Sequence, residues 1–324
     1  MKNQANRKLI SNTVFLYLMT TSIQILNLLT VPYLSRVLGP TEYGQIGLAL
    51  GYMAYVQIIL DFGFTLYATK KISENKTDKC KIEYIITAVT FIKVILAVCL
   101  GVVFLLFLYI NVFDVTLMTI LQVYLLGYLI TALLPDFYYR GMENMKSIAL
   151  RTLIVRVLFT LLIFLCVRKK EDIMFVPVCF LVGSILAFII TAADIRWKKQ
   201  ITFRWPGRKY VMSMVRSAFP YFTSRFASTF YQALNVIIIG KIYGTAPEVG
   251  YYTSSDKCLS LVKMGSSPIA DSLYPYMLNH KNYRLIKRLL GFVMPIITVG
   301  VIIIGIYAEP ICEFVFGDGY AESP

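Results

Sequence analysis

The chain has 324 residues, 57% hydrophobic and only 15% charged, with a formal net charge of +14. A soluble domain carries about 25% charged residues, and one soluble core could not hold nine apolar runs of about 20 residues each. The composition therefore excludes a soluble globular protein. The basic residues sit at the ends of the apolar runs, so anionic headgroups and topology account for them, and nucleic acid is not an expected partner.

The first run begins near Leu9 and continues past Val31. It is too long for the apolar core of a signal peptide and no small-residue cleavage site follows, so it reads as a retained first helix. In chain order the runs predict spans at 9–35, 44–67, 84–110, 115–138, 150–167, 173–195, 211–240, 249–279 and 289–308. Helices are the expected spanning form, because lipid cannot satisfy open backbone groups. The fold class predicted is an all-α integral membrane bundle.

Orientation follows from the connections. Of the Lys and Arg residues near span ends, 22 fall on the side of the N-terminus and 5 on the other. That bias predicts a cytoplasmic N-terminus in the cell membrane. The discordant cluster is Arg168–Lys170, followed at once by Glu171 and Asp172. No connection is long enough to hold a soluble catalytic domain; the longest, from Arg196 to Lys209, has about 15 residues. An odd span count and an abrupt end at Pro324 suggest a piece of a longer protein.

Catalytic and metal chemistry find little material. There is one histidine, His280, and no two of the six cysteines form a CxxC pair. Nucleophile-elbow, phosphate-loop and zinc-protease motifs are absent. The expectation is a protein that is not an enzyme and holds no metal. Asp136–Arg140, with its aromatic residues, reads as an interfacial anchor.

Polar stripes carry more information. In the eighth span Tyr252, Thr253, Asp256, Ser260, Lys263, Ser267, Asp271 and Tyr274 share a sector about 100° wide. In the seventh, Ser217, Tyr221, Ser224, Arg225, Ser228, Gln232 and Asn235 do so, with a kink expected at Pro220. The first span has an uncharged version that includes Gln24 and Asn27.

A charge at mid-bilayer costs about 2.5–3.5 kcal/mol on insertion scales, so each one needs a reason. The predicted reason is a water-filled cationic cavity formed by Arg225, Lys263, Lys93 and Lys257, suited to an anionic group such as pyrophosphate. Asp61, Asp256 and Asp271 are the candidates for coupling or internal pairing. Gln24, Asn27, Tyr221, Ser228, Gln232, Ser260 and Ser267 are the candidate polar lining. Arg156 is a further deep cation that either faces the cavity or pairs structurally.

Four stretches then resemble a known family. RVLGPTEYG at 36–44, DFGF at 61–64, YRGMENMK at 139–146, and NVIIIGK at 235–241 with EVGYYT at 248–253 occur in order and at the matching spans. They are similar to the O-antigen and polysaccharide flippases of the multidrug/oligosaccharidyl-lipid/polysaccharide exporter superfamily. The resemblance implies two pseudo-repeated six-helix lobes around a central cavity, working by alternating access. Residues 1–200 would form the N-terminal lobe, and 201–324 the first half of the C-terminal lobe.

It implies movement of a polyprenyl-pyrophosphate-linked oligosaccharide from the inner to the outer leaflet. The implied partners are that lipid-linked oligosaccharide, membrane lipids, and polysaccharide polymerase and export machinery. No cofactor is implied beyond a proton or sodium ion as coupling ion. Two other readings stand beside it. A cation-coupled multidrug antiporter of the same superfamily would favour acidic cavity residues. A membrane glycan polymerase or ligase would need a large outer loop.

Overall fold

The computed structural model describes residues 21–111, 113–244, 246–256 and 315–316, without the side chains of 231–233. All regular structure among them is helical. After α1 (21–38) come α2 (Pro40–Asp61), α3 (Phe64–Glu74), α4 (Lys79–Ile110), α5 (Val115–Ala132) and α6 (Asp136–Gly141). Then follow α7 (Met145–Cys166), a 3-10 turn (Lys170–Met174), α8 (Phe175–Ala193), a π turn (Asp194–Lys198), α9 (Arg208–Tyr243) and the start of α10 (247–256).

Five stretches are long and apolar enough to cross a membrane: Thr21–Glu74, Lys79–Ile110, Val115–Gly141, Met145–Cys166 and Lys170–Lys198. The first has 54 residues and is broken at Gly39 and at Phe62–Gly63, so it holds the second predicted span and residues 21–35 of the first, whose beginning lies outside the described residues. The seventh predicted span lies within α9. The ninth, and most of the eighth, lie outside the described residues.

The surface is that of a membrane bundle. Val98, Val102, Val103, Leu106, Leu161, Leu165 and Ile189 are exposed, and an apolar belt of this kind is stable only against lipid. Inside, two apolar clusters stack along the bundle. One joins Leu38, Met53, Ile120 and Ile163; the other, towards the Lys/Arg-rich end, joins Phe64, Ile72, Ile86, Phe137 and Ala218.

Local sequence signals set the helix ends. Pro40 opens α2 behind Gly39, whose φ of 81° only glycine adopts cheaply. Asp78 caps α4, its carboxylate accepting from the Lys81 N–H at 3.1 Å. That bond holds the Asp78 carboxyl below its usual range.

The α2–α3 break matters most. Phe62 and Gly63 both take left-handed conformations, with φ of 45° and 75°. For Phe62 this costs about 1–2 kcal/mol. The cost is offset by docking: the Phe62 ring stacks on Phe222 of α9 at 5.0 Å and 14°. Gly63 lies so close to α9 that a Cβ there would stand 2.6 Å from the Phe222 nitrogen.

At the basic end, the segment between α8 and α9 is tied to α4. Glu83, buried at 3% exposure, accepts from the Thr202 N–H at 3.1 Å and pairs with Arg204 Nε at 3.1 Å. The Arg204 N–H donates to Thr87 Oγ1 at 3.0 Å. Glu83→Ala should cost about 1.5–3 kcal/mol, the value of a charge-assisted hydrogen bond. Limited trypsin digestion should then cut faster after Lys199 and Arg204; unchanged cleavage would show that the tether is held by other contacts.

A cationic cavity between the helices

Between the two apolar clusters lies a cavity of about 340 Å³, lined by α2, the α2–α3 break, α4, α5, α6 and α9. Its charged residues are Asp61, Lys93, Asp136, Arg140 and Arg225, with Gln57, Thr65, Tyr128, Thr131 and Thr229 among the polar ones. Each arrives for a local reason. Asp61 and Thr65 flank the left-handed break. Asp136 opens the short α6 behind Pro135, and Arg140 closes it one turn later. Arg225 projects from α9 near the level where Phe222 docks.

The two acids are held differently. Asp136 accepts from Arg151 Nη2 at 2.7 Å, and Arg151 Nη1 donates to Thr191 Oγ1 at 3.0 Å. Arg151 is 7% exposed and Asp136 is half-buried, so this is a tight pair within the bundle. Asp61 is looser. Its Oδ1 accepts from Thr65 Oγ1 at 2.5 Å and stands 3.9 Å from Lys93 Nζ. Its Oδ2 is buried without a hydrogen-bond partner among the described residues.

Lys93 is 5% exposed and lies 5.8 Å from the Phe137 ring centre, within cation–π range. Arg140 has its Nε buried without an acceptor among the described residues. Arg225 is exposed on α9 and forms no ion pair among them. With Asp136 matched by Arg151 and Asp61 by Lys93, Arg140 and Arg225 have no counter-charge among the described residues. Guanidinium groups facing a polar cavity favour an anion with several oxygens.

Of the residues predicted from sequence, the structure brings Arg225, Lys93 and Asp61 together here. It places Gln24 and Asn27 elsewhere: Arg156 of α7 donates to Asn27 Oδ1, and Asn27 Nδ2 donates to Gln24 Oε1 at 3.2 Å. Arg156 also stacks over Phe159 at 5.1 Å. These polar groups fasten α1 to α7 instead of lining the cavity. Thr30 and Thr160 hydroxyls, 3.4 Å apart, continue that seam.

Tyr221 packs beside Tyr67 at 6.0 Å and borders Gly63. Ser228 donates to the Arg225 carbonyl at 2.9 Å, within its own helix. Asp256 is exposed on α10. Lys257, Lys263, Asp271, Ser260 and Ser267, and the Gln232 side chain, lie outside the described residues.

Arg140 and Asp136 were missed from sequence, where they read as an interfacial anchor. The signal that could have found them is an acid and a base one helical turn apart directly after a proline, which marks a helix break inside a bundle.

The family profile described as polysaccharide biosynthesis protein matches residues 9–281. The chain is 28% identical over 278 residues to a protein named "Putative O-antigen transporter" from Escherichia coli (strain K12), covering 82% of this chain and 63% of that protein. It is 22% identical over 280 residues to a protein of the same name from Shigella dysenteriae, covering 86% and 69%. The match to the first of these thus spans less than two thirds of its length. No solved structure matches. With several apolar helices and a family match over most of its length, this multi-pass membrane protein belongs to the polysaccharide biosynthesis protein family.

Proposed function

We propose that the protein flips a polyprenyl-pyrophosphate-linked oligosaccharide from the inner to the outer leaflet for cell-surface polysaccharide assembly. The observation that carries this reading is the pair of cations without a counter-charge among the described residues, Arg140 and Arg225, beside the loosely held Lys93 in one cavity. A pyrophosphate in the cavity would meet all three, while the sugar occupies water and the lipid tail stays in the bilayer.

The proposal includes a cytoplasmic N-terminus, a second lobe pseudo-repeating the first, and alternating access. In this reading α1 to α8 form the first lobe and α9 opens the second. The basic end of the bundle faces the cytoplasm, where the positive-inside rule places it. The cavity then opens from the leaflet in which lipid-linked precursors are made.

The test is export of lipid-linked glycan in cells whose only flippase is this protein. Arg225→Ala and Lys93→Ala should each lower export about tenfold or more, the loss of one charge-assisted contact of about 1.5–3 kcal/mol. Membrane levels should remain normal for Arg225→Ala, whose side chain is exposed. Accumulated glycan, probed with an impermeant reagent on sealed spheroplasts, should lie on the inner face. Unchanged export in both variants would overturn the cationic-cavity reading. New sensitivity to cationic drugs with unchanged glycan would favour the antiporter alternative.

A further inference from the structure

We infer that Asp61 is a resident counter-ion that sets a charge threshold for the cavity: it occupies Lys93 until an anion of higher charge than a carboxylate displaces it. This rests on the reading of the cavity as the site for a pyrophosphate-linked lipid. It assigns Asp61 the task of rejecting singly charged lipid headgroups, which surround the protein in far greater number.

The contrast between the two cavity acids carries the argument. Asp136 is fixed at 2.7 Å to Arg151, at the length of a strong charge-assisted bond. Asp61 is 3.9 Å from Lys93, beyond hydrogen-bond length, although Lys93 is almost fully buried. A buried lysine with a loose partner is a cation ready to change partners. Asp61 has a holder of its own for that moment, because Thr65 donates to its Oδ1 at 2.5 Å. Departure of Lys93 therefore does not strand the carboxylate entirely.

The surrounding charges favour exchange only for a polyanion. Lys93, Arg140 and Arg225 line the same cavity, and Asp136 is already matched by Arg151. A pyrophosphate can engage the two arginines and draw Lys93 from Asp61 with its remaining charge. A monoanion must either leave Lys93 with Asp61 or accept the repulsion of a like charge beside it. Repulsion of the wrong ligand is a common source of specificity.

The position also links occupancy to shape. Asp61 is the last residue of α2, and the next two residues form the left-handed break docked on α9. Exchange of its partner therefore acts directly at the α2–α9 contact.

The experiment uses two probes that differ in charge, farnesyl pyrophosphate and the methyl ester of farnesyl monophosphate, a phosphodiester with a single charge, titrated against the purified protein in detergent. The wild type should prefer the pyrophosphate. Asp61→Asn, which keeps the shape and removes the charge, should tighten the phosphodiester more and shrink the preference about tenfold, the effect of one lost charge interaction. Thr65→Val should act oppositely: Asp61, deprived of its hydroxyl donor, depends more on Lys93, and both probes should bind about threefold more weakly.

An unchanged preference in folded Asp61→Asn overturns the inference, as does unchanged binding in Thr65→Val should the asparagine variant not be recovered. If Lys93→Gln and Arg225→Ala also leave pyrophosphate affinity unchanged, the failure belongs to the cavity reading. If those two weaken it while Asp61→Asn alters nothing, the cavity reading stands and the threshold falls.

Discussion

Alanine at Arg151 should cost the fold about 3–5 kcal/mol, the typical price of breaking a buried ion pair from one side. The guanidinium is 7% exposed and bridges Asp136 of α6 to Thr191 of α8. Its removal leaves the half-buried Asp136 carboxylate with no cation bonded to it, at the rim of the cavity. Arg151→Lys should recover part of the loss, because an ammonium keeps the charge but cannot fork to both partners. Arg151→Met with Asp136→Leu should recover most of the stability while altering the cavity. Thermal unfolding in detergent measures all three. A single Arg151→Ala that unfolds at the wild-type temperature would show that the pair contributes nothing net.

The second large effect is expected at Gly250. The starts of α2 and α10 cross at the end of the bundle opposite the basic loops, and a methyl on Gly250 would fall inside the Pro40 carbonyl. The partner position is equally tight: a Cβ on Gly44 would stand 2.7 Å from the Gly250 nitrogen. Backbone cannot yield as a side chain does, so Gly250→Ala must push the two helices apart. Overpacking of this kind costs about 1–3 kcal/mol. In the proposed flippase, glycan export should fall about tenfold, that cost expressed as a population shift against the arrangement in which α2 and α10 cross. Gly101→Ala is the matched control, since its Cβ would meet only Leu129 Cδ1 at 3.6 Å within a helix. Equal export by the two variants would remove the crossing from the transport cycle.

Much of the bundle was legible because lipid imposes a strong rule on sequence. The runs at 84–110, 115–138, 150–167 and 173–195 fall on α4, α5, α7 and α8 because a span must be apolar for about 20 residues and its ends must not be. The α2–α3 break was not legible: the predicted span 44–67 runs straight through Phe62–Gly63, and DFGF stood out only as a family resemblance. The cavity was legible only in part. Lys93, Asp61 and Arg225 stood out because deep charge is costly and therefore conspicuous.

Pairing was not legible. Arg156 and Arg151 are both basic residues on α7, yet one fastens α1 through Asn27 and the other closes on Asp136. Which face of α7 meets α1 and which meets α6 is decided by packing between helices, and a single sequence carries no record of it. The same holds for Gln24 and Asn27. Asn27 meets Arg156 of α7, and Gln24 accepts from Asn27.

The makeup of α9 bears on how the protein is assembled in the first place. This helix runs 36 residues. Along its length it carries Arg216, Pro220, Arg225 and several serines, more polar material than the other spans hold. Such a segment gains little by leaving the protein-conducting channel for lipid alone. It does gain from α2 and α3, which offer Leu48, Tyr55 and Phe62 along its length. The order of the genetic message supplies that surface in advance, since α2 and α3 are synthesised well before α9. The earlier helices thus serve as the membrane into which the later one is inserted, and a lesion in α2 would appear first as a failure of biogenesis.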